Sequence, residues 1–482
     1  MKIKGYEAKW FLLFIATLFV LLRVPSLIEP HWYGDEGIYQ VVGREILKGE
    51  ILYKDIWDNK PPFLYAIYAI FNGNLFFVKL ASLTFGLLSV FSFYILTTKV
   101  FEKIFSRFTS CAVFAILFAL PFLEGNIANA ENFMLLPITL GAYFILVFKD
   151  SRKAIHLILA GFLLSIAFIT KIVAIFDFFA FFIFLGILLW NKYGKSALRF
   201  KNLKNHALFS LSFVSLLILS SIYFLLNGAL GDFLNAVFAQ NVNYVNVENR
   251  FIVPYGILFV KTLLLLTFIV FLFKKRNIIK SHELFIYLWL GFSVYSAFFS
   301  QRPYIHYILV MLPAFSLLCG IMVESKKRLN IHILVLVGLI FLSFYHLTFY
   351  KKTFEYYVNY LQFIFNKKTI TEYQRFFDSQ TPRDYEIANF INANLKKDET
   401  FFLWSDSAQI YALADKSPIG KYVVAYHITF YKDADVKIKE AIDSRKPRLI
   451  IQTAKVEFPR GIISNYSLRY EITGAKIYER EL

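Results

Sequence analysis

Two adjacent carboxylates, Asp35 and Glu36, stand just past the first long apolar run of a 482-residue chain. Carboxylates so close to bilayer depth are costly unless paired or put to use. As a general base, Asp35 would take a proton from an acceptor hydroxyl. As an N-cap, it would merely open a short helix. Asn59-Lys60-Pro61-Pro62 follows. A lysine just ahead of a helix start can meet a phosphate, which the helix N-terminus also favours. The same lysine could simply snorkel at an interface. Glu131 lies in the short segment EGNIANAEN, either as a substrate or metal ligand or as a cap for the next helix. Lys171 and Asp177 sit among apolar residues, where charges mark function by default; a structural Lys171–Asp177 contact is the plainer reading. Gln301-Arg302-Pro303-Tyr304-Ile305-His306-Tyr307 gathers a guanidinium, an imidazole and two phenols. Arginine there suits phosphate recognition, or else a snorkelling role in an aromatic belt.

The elements that must position these groups are membrane helices. Hydrophobic residues make up 57% of the chain and charged residues only 18%, below the roughly 25% of an ordinary domain. Apolar runs at 10–28, 75–98, 108–123, 132–148, 155–170, 172–190, 207–226, 256–273, 283–299, 305–321 and 330–349 predict about eleven spans. The net charge of +18 falls in short clusters between these runs, not in one patch, which excludes a nucleic-acid surface. Every second connection is basic: around Lys2, Lys103, Lys153, Lys201, Lys275 and Lys327. Those connections are expected in the cytoplasm, and the other loops and the C-terminal part outside. The first run lacks a small-x-small cleavage site and reads as an uncleaved span.

Within the first external loop, 29–74, Ile38, Val41, Val42 and Ile46 share one helical face while Gln40, Arg44 and Lys48 lie opposite. That spacing predicts a short amphipathic helix lying at the membrane interface. Pro61-Pro62 predicts a second short helix over 62–71. Residues 1–350 then form a transmembrane domain and 351–380 an aromatic connector on the membrane surface. Over 381–482 polar residues return, and helices at Asp384–Lys396, Ser407–Ala414 and Asp435–Ser444 alternate with strands at Thr400–Leu403 and Arg448–Gln452. This predicts a small soluble α/β domain with a partly parallel sheet. Cys111 and Cys319 lie in apolar runs and suggest neither a disulfide framework nor a metal knuckle. No Gly-rich phosphate loop, HExxH or GxSxG motif occurs. An enzyme of the outer face would therefore need a donor carried by lipid.

The succession Asp35-Glu36, Tyr39, Gly49, Tyr53-Lys54-Asp55 and Lys60-Pro61-Pro62 resembles the first external loop of bacterial relatives of the dolichyl-phosphate-mannose protein mannosyltransferases. These include the lipid A aminoarabinose transferases. Glu131-Asn132, Lys171, Arg302-Pro303-Tyr304, His306-Tyr307 and Pro313 are similar to that family too, so the resemblance runs over roughly 8–350. Lys79 stands where the pattern often has arginine.

The resemblance implies a GT-C type glycosyltransferase: a polytopic α-helical membrane protein with a small C-terminal α/β extracytoplasmic domain. Such an enzyme moves a sugar from a polyprenyl-phosphate carrier to a hydroxyl of an envelope lipid, glycan or protein, normally with inversion. It implies Asp35 as catalytic base and Lys60, Lys171 and Arg302 as donor-phosphate ligands. Glu36, Tyr39, Tyr53, Glu131, Tyr304, His306 and Tyr307 would line the substrate pocket. No cofactor is required, although carboxylates at 35, 36 and 131 could hold Mg2+. The expected location is the cell (inner) membrane. A transporter or flippase using Lys171 and Asp177 as a coupling pair is the competing reading; a receptor built on the C-terminal domain is another.

Overall fold

In the computed structural model, residues 2–242, 256–300, 302–324, 329–347, 349–431, 433–455, 457–459 and 461–481 are described. Gln301, the basic connection Lys326–Arg328 and the second half of the loop expected over 227–255 lie outside them. The chain is a multi-pass membrane protein. Among the described residues, seven helices are long and apolar enough to cross a bilayer: Tyr6–Ile28, Leu75–Val100, Ala130–Ser151, Ile172–Ala197, Asn202–Leu226, Ile257–Lys275 and Ile305–Glu324. Ile104–Ala119, Ala154–Thr170 and Leu329–Tyr345 are shorter apolar helices. A further helix, Ser281–Ala297, lies where the ninth span was expected. Among the described residues, helices thus coincide with the predicted runs, and seven meet the length and hydropathy of a span.

The chain divides into two compact units. Unit one comprises Met1–Val24, Leu80–Ser221 and Ala239–Thr353. Its helices pack through aromatic rings and small residues, as suits a medium in which apolar burial alone gives no driving force between helices. Phe178 stacks on Phe209 and Phe213 with ring centroids 4.9 and 4.1 Å apart. Ser92 and Thr139 share a buried hydrogen bond of 2.5 Å between two spans.

Unit two comprises Pro25–Lys79, Ile222–Phe238 and Phe354–Leu482. The first loop does form two short helices, Gly34–Leu47 and Pro62–Ile70. The first does not present a single wet face over its length. Gln40 and Glu45 are buried alongside Ile38, Val41 and Val42, because partners pack on more than one side. A Cβ at Gly43 would stand 2.8 Å from Ala69 N and Tyr68 Cβ, so the helix Pro62–Ile70 lies directly on its backbone. A Cβ at Gly37 would stand 2.7 Å from Gln409 N, so the helix Gln409–Leu413 does the same further along. Gln40 Nε2 donates to Gly73 O (2.8 Å) and Arg44 Nη1 to Ala412 O (3.1 Å). Gln40 and Arg44 are thus spent on backbone carbonyls, while Lys48 stays exposed.

The C-terminal part carries a four-stranded sheet: β1 (Phe401–Trp404), β2 (Leu449–Gln452), β3 (Tyr466–Ile472) and β4 (Ala475–Arg480), in the order β1-β2-β4-β3. β1 and β2 run parallel, Phe401 opposite Leu449, as the alternation of helix and strand predicted. β3 and β4 form an antiparallel hairpin closed at Thr473-Gly474, both with positive φ. That is the turn geometry that matches strand twist. This hairpin had no counterpart in the sequence reading, although Tyr466, Leu468, Tyr470 and Ile472 alternate with polar residues along β3. The segment expected as a surface connector folds into the helices Thr353–Ile364 and Ile370–Phe377, the second opened by a Thr369/Glu372 capping box.

Candidate functional site

The helix Gly34–Leu47 begins after an extended Tyr33, which occupies the N-cap position but whose side chain does not cap the helix. Asp35 is therefore not the cap; it lies in the first turn. Its Oδ2 accepts from the Tyr39 hydroxyl one turn on, at 3.2 Å. The positive end of the helix favours a carboxylate there. Glu36 faces elsewhere. It is buried and paired with Lys79 Nζ at 3.2 Å. Lys79 also holds Glu29, at 2.6 Å, and Glu29 in turn accepts from Tyr356 and from Trp32 Nε1. One buried ammonium thus serves two buried carboxylates.

Lys60 is fixed by its own backbone. Tyr53 Oη donates to Lys60 O (2.6 Å), and Lys60 N donates to Tyr65 Oη (3.1 Å), which donates to Asp58 Oδ2 (2.6 Å). Burial, and then the Asp58 charge, raise the Tyr53 and Tyr65 phenols well above their usual range, so both keep their protons as donors. The Lys60 ammonium bonds to Asn59 Oδ1 (2.9 Å) and lies 5.9 Å from the centroid of the Tyr39 ring. Tyr39 is fully buried, edge-on to Tyr65 and Tyr68. Its hydroxyl meets the Asp35 carboxylate, and its ring meets the Lys60 cation.

His427, from the short helix Ala425–Phe430, joins this group. Its Nε2 is 3.9 Å from Asp58 Oδ1, and Trp57 packs edge-on against its ring at 4.9 Å. Burial pushes its pKa down to about 4 despite Asp58, so the imidazole is neutral at ordinary pH. Nothing marked it in the sequence: it is a lone histidine in AYHITF, with no ligand-like spacing.

Unit one holds the other predicted residues. The helix Ala130–Ser151 is capped by Asn129, whose side chain accepts from Ala130 N, so Glu131 is not the cap. Glu131 is fully buried and accepts a hydrogen bond from the Lys171 ammonium. Lys171 also lies 4.5 Å from the centroid of Tyr307. His306 Nδ1 is 2.7 Å from Glu124 Oε2, and its Nε2 is 3.8 Å from Glu131. Tyr304 stacks flat on His306 at 5.7 Å. Glu131, Lys171, Tyr304, His306 and Tyr307 therefore come together, with Arg302 two residues before Tyr304. Glu124 completes the group. Sequence reasoning passed over it, although it opens the very segment singled out for Glu131.

The Lys171–Asp177 contact, one of the two readings the sequence left open, does not form. Lys171 is taken by Glu131, and Asp177 accepts from Trp289 Nε1 at 2.6 Å. Among the described residues, no group of three His, Cys, Asp or Glu could hold a metal ion. Glu36 and Glu131, two carboxylates considered for Mg2+, each have a lysine partner.

The chain thus carries membrane helices, a helical first loop bearing Asp35 and Lys60, and a C-terminal sheet. Residues 45–230 match the family model described as dolichyl-phosphate-mannose-protein mannosyltransferase. That match takes in Tyr53, Lys60, Glu131 and Lys171 but stops short of Asp35 and Arg302. Among solved structures, the crystal structure of ArnT from Cupriavidus metallidurans bound to undecaprenyl phosphate is similar over 98% of this chain and 98% of that one, with TM-score 0.57 and 12% identity. The archaeal oligosaccharyltransferase AglB from Archaeoglobus fulgidus, in complex with an inhibitory peptide and a dolichol-phosphate, is similar over 93% of this chain and 69% of that one, with TM-score 0.51 and 12% identity. No curated protein matches the sequence.

Proposed function

We propose that the protein transfers a sugar from a polyprenyl-phosphate carrier to a hydroxyl of an envelope lipid, glycan or protein at the outer face of the cell membrane, with inversion. The observation that carries this reading is the pairing around Tyr39: the Asp35 carboxylate on its hydroxyl and the Lys60 ammonium beside its ring. A proton acceptor and a phosphate-binding cation are the two groups that such a transfer needs.

In the reaction, the acceptor oxygen attacks the anomeric carbon as the bond from that carbon to the phosphate oxygen breaks. The acceptor proton passes to Asp35. The bonding electrons leave with the phosphate, giving a polyprenyl monophosphate whose growing charge is stabilised by fixed cations. Lys60 is assigned that part in unit two; in unit one, Lys171 and Arg302 are the candidate cations. Tyr39 holds the Asp35 carboxylate in one orientation. Tyr53, Glu131, Tyr304, His306 and Tyr307 are assigned to the substrate pocket, and Glu36 supports the site through its pair with Lys79.

The likeness to proteins solved with undecaprenyl phosphate and dolichol-phosphate supports the choice of donor. The test is mass spectrometry of envelope lipids and glycoproteins from cells with and without the gene. Loss of one glycan modification together with accumulation of a sugar-bearing polyprenyl phosphate supports the reading. An unchanged envelope rejects it.

A further inference from the structure

Unit two contains a cavity of about 720 Å³ that does not include Asp35, Tyr39 or Lys60. One part of its wall is apolar and comes from residues at the ends of spans. Leu27 and Ile28 close the first span; Phe76 and Phe77 open the second. Phe363 and Ile370, from the two helices that follow the last apolar helix, complete it. Ile28, Phe76, Phe77 and Ile370 are exposed, so this side of the cavity opens to the protein surface among apolar residues.

The other part is polar, and its charges are compensated. Arg44 is committed to Asp415 and Ala412 O. Glu29 is held by Lys79. His31 is bound to the Tyr385 hydroxyl at 3.1 Å. Gln40, by contrast, is 2% exposed and its Oε1 has no hydrogen-bond partner. A buried acceptor left in this state costs free energy until a donor reaches it. Gln374, 5% exposed, borders the same space. A volume of this size falls within the roughly 300–1,000 Å³ of small-molecule sites.

We propose that this cavity binds a membrane lipid with an uncharged, hydroxyl-bearing headgroup. The head lies against Gln40 and Gln374, with a hydroxyl donating to Gln40 Oε1. The first methylenes of the chain run out between Ile28, Phe76 and Ile370. An anionic headgroup is disfavoured because both cations near the polar end already have carboxylate partners. This site is separate from the transfer reading and stands whether or not that reading holds.

The test uses the full chain purified in detergent and incubated with an equimolar mixture of monoglucosyl-diacylglycerol and phosphatidylglycerol. Lipid retained on the protein is then counted by native mass spectrometry. The expected result is one retained glucolipid, favoured at least fivefold over phosphatidylglycerol. Gln40→Leu and Gln374→Leu each cut its retention at least fivefold at unchanged Tm. The two residues lie on different helices, so if one variant fails to fold the other still decides. Equal retention by the folded variants, preference for phosphatidylglycerol, or no retained lipid would overturn the proposal.

Discussion

The Tyr39 hydroxyl donates to Asp35 Oδ2 across 3.2 Å, four residues apart on one helix face. The bond orients a carboxylate that the helix start alone would leave free to rotate. Tyr39→Phe removes the donor while keeping the buried ring and its edge-on contacts with Tyr65 and Tyr68. The expected outcome is a fall of about tenfold in kcat, as for loss of about 1.4 kcal/mol of orientation, with KM and Tm nearly unchanged. Steady-state kinetics of the purified variant checks it.

The cations give a second expectation. Lys60→Ala and Arg302→Ala should each weaken binding of the polyprenyl-phosphate donor about tenfold or more without unfolding the protein, as expected when a charge-assisted hydrogen bond to phosphate is lost. Arg302→Lys should recover only part, because a forked donor is replaced by a point charge. Donor affinity measured by titration and found equal to wild type would remove these residues from the phosphate site.

Lys79 is a structural test. It is wholly buried between Glu29 and Glu36. Lys79→Met would leave two carboxylates buried without their cation, a loss on the order of 3–5 kcal/mol. A clear drop in Tm is expected. Lys79→Arg, which keeps the charge, should hold most of the stability. Near-equal Tm for Lys79→Met would contradict the pairing.

His427 gives a pH dependence with a definite sign. Its folded pKa is about 4 against 6.5 for the free side chain. As pH falls below 6.5 the unfolded chain takes up a proton that the folded chain refuses, so stability is lost between about 6.5 and 4 and is full above that window. His31 is also lowered to about 4 and acts in the same direction. His427→Phe should therefore flatten, without abolishing, the fall in Tm from pH 7 to pH 4.5. An identical slope would show that His427 is not buried as a neutral imidazole.

The apolar runs located the seven long apolar helices of the described residues because bilayer thickness and apolar composition are local properties of a sequence. The helices at 34–47 and 62–70 were legible for a similar reason: Pro61-Pro62 and a four-residue apolar spacing are local signals. What surrounds the first of them was not. Gln40 and Arg44 read as a wet face because their backbone partners, Gly73 and Ala412, are remote in sequence. The same holds for the site. Asp35 and Lys60 stood out by type and position, but the Lys79–Glu29 pair, Glu124 beside His306, and His427 beside Asp58 arise from contacts that no spacing announces. The Lys171–Asp177 contact was inferred from proximity along the chain, and the fold spends both groups on other partners.

The central claim is that Asp35 accepts the acceptor's proton during transfer from a lipid-phosphate sugar. The most direct measurement is the transfer rate of purified Asp35→Asn, with the sugar-bearing polyprenyl phosphate that accumulates in gene-deleted membranes as donor. Asparagine keeps the shape and can still accept from Tyr39, but it cannot take up a proton. The account predicts a rate lower by roughly 10²–10⁴-fold, with donor binding and Tm like wild type. A transfer rate equal to wild type would contradict it.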